Sequence, residues 1–289
     1  MQIMALPQLS NTLMSLEPAL WLCAFIAYLR LKNQSRFPMF AGFLGVKLAS
    51  SLVLTGIYRA LPSTADMGHL HSYFYTYWIS YFAGCIILFF ALQELFRHVM
   101  ASLPGLSELG IICFRWAALA SLVIAFASIV TSLPLISQNT SVSFICTEIG
   151  CCLCVLELCL LAFLLVCIQT MKYTVRSRVF GLCLGLGMMA AMDMTLFALR
   201  YSAVHEILDQ ISAFVTLGAL AVISAYLLMP EPVRKQAALP AASPLLRWND
   251  LALALGHNAE TATGQNGFLQ DVEGVVDRVL AKNSMNTAS

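Results

Sequence analysis

The chain has 289 residues, of which 60% are hydrophobic and only 11% are charged. Soluble globular proteins carry about 25% charged residues, so this composition excludes an ordinary soluble domain. The formal net charge of +1 gives no reason to expect a nucleic-acid partner. Apolar runs near the ~20 residues that cross a bilayer recur along the chain, whereas a barrel would show short alternating strands. The sequence therefore predicts an all-α, polytopic integral membrane protein with the lipid bilayer as its surroundings.

Seven transmembrane spans are predicted from apolar runs that are separated by short connectors. Their approximate ranges are 14–31, 38–60, 72–98, 109–130, 143–170, 179–200 and 207–229. Connectors such as 61–66 and 103–107 carry the proline and serine residues that are typical of turns. The predicted organisation is a seven-helix transmembrane domain over 1–230, followed by a tail over 231–289.

Basic residues concentrate on one side of the predicted bundle. They lie between spans one and two, between spans five and six, and after span seven, whereas the loop at 131–142 has no Lys or Arg. The positive-inside rule then places the N-terminus outside and the C-terminus in the cytoplasm. The first basic residue is Arg30, after the first apolar run, so a cleaved secretory signal is not expected.

The tail contains two segments with helical spacing of apolar residues, 244–256 and 267–282. In the second segment one apolar stripe lies opposite a charged face. Its members are Phe268, Leu269, Val272, Val275, Val276, Val279 and Leu280. Such a stripe must be covered by something, and the candidates are the bundle itself, the membrane surface or a cytoplasmic protein partner.

Charged residues inside the spans are candidate functional groups, because an ionisable side chain in a bilayer is costly unless it is paired. Lys47 in span two and Glu157 in span five lie near the membrane midplane at ~1.5 Å rise per residue, and we predict that they pair. Glu148 and Asp193 lie nearer the outer face. The alternative to a ligand or proton site is a structural network that fixes helix packing.

A second pair is predicted near the cytoplasmic face. Glu94 on span three and Arg115 on span four enter the membrane from the same side, so they are candidates for a structural ion pair between helices.

Span five separates its polar residues onto two faces. Cys146, Gly150, Cys154 and Glu157 recur at helical spacing, and the small residues among them allow another helix to approach closely. Glu148 lies on a different face, since nine residues correspond to two and a half turns. Span six has a similar series of small residues, so spans five and six are expected to pack together.

Span three carries a stripe of His69, Tyr73, Tyr77 and Tyr81 at intervals of four residues. Tyrosines in this position form either an aromatic belt at the membrane interface or the wall of a pocket, which His71 would join. His69 and His71 could hold a metal together with Asp66 and His205, but histidines at this spacing are common in loops, and the cysteine cluster lacks the spacing of a metal site. No metal and no cofactor is therefore predicted.

The runs YWISYFAGCIILFFALQELFRHVMASLPGL (77–106) and LLRWNDLALALGH (245–257) resemble segments of uncharacterised bacterial seven-transmembrane proteins. This resemblance implies the bacterial inner membrane as the location, but it implies no particular activity. The layout is also similar to the seven-helix sensor regions that precede histidine kinases, which is an architectural analogy.

Three functions are compatible with the sequence. The first is a non-enzymatic sensor or scaffold that couples a ligand in the bundle to a cytoplasmic partner through 267–282. The second is a transporter of a small molecule or ion with a site at Lys47 and Glu157, although no inverted repeat is evident. The third is a membrane enzyme that acts on a lipid or a quinone. The sequence does not define the oligomeric state.

Overall fold

The computed structural model describes residues 5–30, 37–60, 67–132, 141–171, 175–199, 205–229 and 244–261, and this part of the chain is helical without strands. Its helices are α1 (Ala5–Arg30), α2 (Pro38–Ala60), α3 (Met67–Val99), α4 (Pro104–Ser132), α5 (Ser141–Thr170), α6 (Arg178–Ala198), α7 (His205–Leu228) and α8 (Pro244–Thr261). The all-α prediction is confirmed, and each of these helices contains most or all of a predicted segment. Several extend a few residues beyond the apolar run, because polar residues can complete the end turns of a helix.

Six described helices, α2 to α7, are long and apolar enough to cross a membrane. The apolar character of α4 continues onto its outer surface, where Trp116 and Phe126 are 66% and 69% exposed. A helix that shows large apolar side chains on its outer surface is suited to a lipid environment rather than to water. A multi-pass helical membrane protein is therefore supported, while the crossing by α1 remains a prediction.

The chain forms two compact units, and the charged residues predicted inside the spans belong to the first, Met1–Val99 with Cys113–Ala237. Within this unit, α1 packs against α2 and α7, α2 against α3, α3 against α5, α5 against α6, and α6 against α7. These contacts close a ring of six helices. Within the same unit, α4 binds α5 through two serine hydroxyls: Ser121 donates to the Cys152 carbonyl over 3.1 Å, and Ser128 donates to Glu148 over 2.9 Å.

Aromatic side chains and one helix cap hold the α1–α2–α3 side of the ring. Trp21 of α1 meets the Phe43 ring edge-on at 6.1 Å, and the Tyr28 hydroxyl donates to the Phe37 carbonyl over 2.8 Å. Glu94 of α3 accepts a hydrogen bond from the Met39 amide over 3.0 Å. A carboxylate at the first turn of α2 satisfies a backbone donor that has no partner inside the helix.

The α6–α7 interface depends on glycine. A β-carbon at Gly181 would overlap the ring of Tyr226, and one at Gly185 would lie 2.5 Å from a side-chain carbon of Ile223. These two positions therefore allow α7 to approach the α6 backbone more closely than any larger residue would. Both glycines of α6 thus contact α7. The predicted contact between α5 and α6 is confirmed elsewhere, where Gly150 of α5 faces Phe197 of α6.

The second unit combines Met100–Ile112 with the tail from Ala238 onward. Inside it, the buried Asn249 of α8 accepts hydrogen bonds through Oδ1 from the amides of Gly105, over 2.9 Å, and Leu106, over 3.4 Å. Gly105 has no room for a side chain, because a β-carbon there would lie 2.6 Å from the Asn249 carbonyl oxygen. A tail helix thus supplies the N-terminal cap of α4, which the division at residue 230 did not predict.

Candidate functional site

A small, partly enclosed cavity in the first unit brings together charged residues from three different helices: Lys47 of α2, Glu157 of α5 and Asp193 of α6. Helix α3 contributes Tyr81, Gly84 and Cys85, and the remaining lining is apolar. These apolar residues are Phe43, Leu88, Leu186, Met189 and Ala190. One cation and two carboxyl groups in an apolar surrounding make this cavity the candidate functional site of the described chain.

Glu157 is the most deeply placed of the three charged residues. Its side chain is only 8% exposed, and within the described part of the chain its Oε1 atom has no hydrogen-bond partner. The carboxyl group interacts with the thiol of Cys85 on α3. A buried carboxyl oxygen without a partner is costly in a folded protein, so Glu157 is a strong candidate for contact with a ligand.

The prediction that Lys47 and Glu157 lie near one another agrees with the structure, but the predicted direct pair is not formed. Among the described residues, no ion pair joins Lys47 to Glu157 or to Asp193, although the lysine lies within electrostatic range of both. The cavity also contains a third charged residue, Asp193, which the prediction assigned to the outer face. Because Asp193 lines the same cavity, one lysine faces two carboxyl groups from different helices.

Aromatic rings and a glycine position the lysine. The Nζ atom of Lys47 lies 5.9 Å from the centre of the Phe43 ring and 6.0 Å from that of Tyr81, within the range of cation–π attraction. The lysine stem passes over Gly84, where a β-carbon would be 3.3 Å from Cε. Gly84 therefore makes the space through which α2 extends its cation toward α5 and α6.

The polar wall of the cavity on α3 is held by an aromatic cluster. The hydroxyl of Tyr81 and the thiol of Cys154 are hydrogen-bonded at 3.0 Å, and both side chains are buried. Trp78 stacks on Phe82 at 5.6 Å and on Phe197 of α6 at 6.2 Å, beside Tyr81. This packing restricts the orientation of Tyr81 and links α3, α5 and α6.

The tyrosine stripe of α3 runs from the surface into the site. Tyr81 is buried at the cavity, Tyr77 stacks on it at 6.4 Å and is 39% exposed, and Tyr73 is half-buried. His71 is exposed, and the side chain of His69 lies outside the described residues. The pocket-wall interpretation thus fits Tyr81, whereas His71 does not line the cavity.

The other predicted site residues lie away from the cavity. Glu148 faces α4, where it accepts the hydrogen bond of Ser128, so the two faces predicted for α5 are present. Glu94 caps α2, and the described residues contain no ion pair between it and Arg115, which is exposed on α4. The predicted Glu94–Arg115 pair is replaced by this cap, because the backbone amide of Met39 is the nearer donor.

The tail residues predicted to dock, Phe268, Leu269, Val272, Val276 and Val279, lie outside the described residues. Two residues that line the cavity, Gly84 and Cys85, were not predicted from the sequence as members of the site. A signal for Cys85 was present, since it continues the series of residues at four-residue intervals from His69 to Tyr81.

The cavity has a volume of about 20 Å³. One water molecule needs ~10–15 Å³ by this measure, whereas pockets for drug-sized ligands have ~300–1,000 Å³. The site therefore suits a water-sized ligand or a small ion and not a lipid head group or a quinone ring. The described residues contain no group of three or more His, Cys, Asp or Glu side chains that could hold a metal ion.

No protein-family model, no curated protein and no solved structure matches this chain. What the site can do follows from its own side chains: one lysine and two carboxyl groups surround a cavity of the size of a water molecule.

Proposed function

We propose that this chain is a non-enzymatic membrane sensor that binds a small ion at the cavity lined by Lys47, Glu157 and Asp193. The observation that carries the proposal is the buried Oε1 atom of Glu157, which lines a charged cavity without a hydrogen-bond partner among the described residues. In a purely structural ion-pair network, this oxygen would be expected to have a hydrogen-bond or ion-pair partner.

The placement of the charges on separate helices supports a sensing role. Lys47, Glu157 and Asp193 belong to α2, α5 and α6, which are neighbours in the ring through α3 and through direct α5–α6 contact. An ion that changes the charge of the cavity changes the attraction between these helices. If the helices can pack in two ways, the ion favours the arrangement to which it binds more tightly. Such a difference in affinity is the general requirement for a conformational response.

The tail is the proposed output. Its helix α8 contacts the start of α4, where Asn249 accepts hydrogen bonds from the amides of Gly105 and Leu106. The amphipathic segment 267–282, which lies outside the described residues, is the proposed binding site for a cytoplasmic protein partner. Deleting 262–289 tests this role better than removing the whole tail, since the deletion keeps α8 and its contact with Gly105.

We further propose seven membrane crossings, with α1 as the seventh, the N-terminus outside and the C-terminus in the cytoplasm of a bacterial inner membrane. The positive charges of the connectors support this orientation, and the resemblance to bacterial seven-transmembrane proteins supports the location. Reporter enzymes fused after residues 66, 140 and 289 test the orientation of α2 to α7, and an epitope at the N-terminus that antibodies reach in intact spheroplasts tests the crossing by α1. Activity of a periplasmic reporter at 66 and 140, but not at 289, is expected.

A small-ion transporter is the second candidate, favoured by the same unpartnered carboxyl oxygen beside a lysine counter-charge in the interior of the helix ring. Transport would require access to the cavity from both membrane faces in turn.

Two measurements on the full-length protein separate these functions. Backbone hydrogen exchange of protein in nanodiscs, corrected for the intrinsic pH dependence of amide exchange, is followed while protons, sodium, potassium or chloride are varied, and ion flux is followed in proteoliposomes. A sensor shows an ion-dependent change in exchange in α2, α5 or α6 without flux above that of empty liposomes. A transporter shows flux that Glu157→Gln abolishes.

The matched control is Glu148→Gln, since Glu148 lies on the same helix but faces Ser128 rather than the cavity. Glu148→Gln should leave the ion response intact. If no ion changes hydrogen exchange and no flux is seen, the charges are structural and both functions are contradicted.

A further inference from the structure

The charge of the cavity is unbalanced when Lys47, Glu157 and Asp193 are all charged. Lys47 contributes one positive charge, while Glu157 and Asp193 contribute one negative charge each, so the site carries a net charge of −1. An uncompensated charge inside a protein is strongly unfavourable. Binding of one positive charge would bring the site to neutrality.

The remaining ionisable neighbours do not supply that positive charge. They are Tyr77, Tyr81 and Cys85 on α3, Cys154 on α5 and Glu17 on α1, and Glu17 acts electrostatically on Asp193. Each of these groups is neutral when protonated and negative when ionised, so none can supply a positive charge. The surroundings therefore leave the negative charge in place.

A metal cation does not fit the donor set. Hard cations take about six or more oxygen ligands. Among the side chains that line the cavity, only Tyr81, Glu157 and Asp193 carry oxygen, and the Tyr81 hydroxyl is engaged with Cys154 at 3.0 Å. The ammonium group of Lys47 lines the same small cavity and repels a second cation.

We propose that the ion of this site is a single proton carried by Glu157, with Lys47 as the counter-charge of Asp193. The inference rests on the proposed function and specifies its ligand. A hydronium ion transfers its proton to the unpartnered Oε1 atom of Glu157, so that an O–H bond forms and water is released. The site then contains one cation, one anion and one neutral acid.

Loss of the proton gives the site its pH response. With Glu157 ionised, two carboxylates on α5 and α6 repel each other and compete for one ammonium group on α2. With Glu157 protonated, this repulsion is absent. The chain thereby couples pH to the packing of these three helices, as a pH sensor requires.

Infrared difference spectroscopy of the full-length protein in nanodiscs tests the proposal. The carbonyl stretch of a buried, protonated carboxylic acid should be present at low pH and should disappear in one transition as pH rises. Glu157→Gln should remove this signal, and the control Glu148→Gln should retain it. In Lys47→Met the signal should increase about twofold, because Asp193 loses its counter-charge and also takes up a proton.

The proposal is overturned if the carboxylic-acid signal of the cavity is absent, if it survives in Glu157→Gln, or if sodium removes it at constant pH. If Glu157→Gln does not fold, the variants of Lys47 test the proposal instead. The infrared signal should double in Lys47→Met and return to its original size in the double variant Lys47→Met with Asp193→Asn. An unchanged signal in Lys47→Met would then contradict the proposal.

The proposed function can fail separately from the identity of the ion. A titrating signal without any change in hydrogen exchange would show a proton site that does not alter packing, which contradicts the sensor. A change in hydrogen exchange caused by sodium, potassium or chloride, without the infrared signal, would keep the sensor and overturn the proton.

Discussion

The interface between α6 and α7 and the charged cavity share helix α6, yet small residues have opposite effects in the two places. At the interface, Gly181 and Gly185 remove side chains so that Tyr226 and Ile223 fill the space completely. At the cavity, Gly84 removes a side chain so that the stem of Lys47 can pass, and a volume of about 20 Å³ stays open. A glycine in a transmembrane helix therefore indicates that a neighbouring helix approaches closely. It does not indicate whether the neighbour presents an apolar side chain or a charged one at that position.

The two regions also differ in how their polar groups are placed. The close contacts of α7 at Gly181 and Gly185 involve the side chains of Tyr226 and Ile223, and the one polar contact described between α6 and the end of α7 is the 3.4 Å hydrogen bond from Arg178 to the Met229 carbonyl. The cavity instead brings three charged residues and one unpartnered carboxyl oxygen together. We therefore interpret the first region as a structural element and the second as the element that responds to a ligand.

The largest effect is expected from removing the cavity's only positive side chain. Lys47→Met should lower the free energy of unfolding by about 3–5 kcal/mol at neutral pH, because two buried carboxyl groups then lack their counter-charge. The double variant Lys47→Met with Glu157→Gln should be milder, since only Asp193 remains uncompensated. Reversible unfolding in mixed detergent micelles measures both, and equal losses would count against electrostatic coupling in the cavity.

The next largest effect is expected at the packed interface. Gly181→Ala should lower the free energy of unfolding by about 1–3 kcal/mol, because the added methyl group overlaps the Tyr226 ring and forces α7 away. Gly187→Ala on the same helix is the control, since a β-carbon there meets no atom within 4 Å. Similar losses in both variants would mean that the close approach of α6 and α7 does not depend on Gly181.

A smaller and local effect is expected at Asn249, whose side chain is buried and whose Oδ1 atom accepts two hydrogen bonds, in contrast to Oε1 of Glu157. Asn249→Ala should cost about 1 kcal/mol, because the amides of Gly105 and Leu106 lose their acceptor. Faster hydrogen exchange should be confined to the first turn of α4. The exposed neighbour Asp250 provides the control variant Asp250→Ala, and equal exchange in the two variants would contradict the capping role.

The smallest change in stability is expected at Gly84. A β-carbon at this position would lie 3.3 Å from Cε of Lys47, and the flexible stem can move by the few tenths of an ångström required. Gly84→Ala should therefore change the free energy of unfolding by less than about 1 kcal/mol. It should nevertheless shift the pH at which the infrared signal disappears, because the ammonium group moves, while Gly56→Ala on α2 should not.

Much of the fold could be predicted from the sequence. Apolar runs of sufficient length give the helices of a membrane protein, since a backbone in lipid must satisfy its own hydrogen bonds. Helical spacing also placed Glu148 and Glu157 on different faces of α5, as the contacts with Ser128 and with the cavity show. Both inferences depend only on residues close together along one helix.

The candidate site could be predicted only in part. Depth along a helix brought Lys47 and Glu157 to a common level, but the same estimate assigned Asp193 to the outer face although it lines the same cavity. Counting residues from the end of a span gives neither the tilt nor the rotation of the helix. Glu94 was matched with Arg115 because charge was the only available criterion, whereas the nearest donor is a backbone amide of α2. Backbone partners at helix ends depend on how helices meet, which composition does not reveal.

Local composition and helical periodicity are enough to identify a helical membrane protein. They also identify which of its residues are too polar to face lipid. Tertiary structure alone decided that Lys47, Glu157 and Asp193 share one cavity, that Gly84 makes room for the lysine, and that Asn249 caps α4. These are contacts between distant parts of the chain. They depend on how the helices are rotated and packed against each other, and helices of this composition could pack in many other ways.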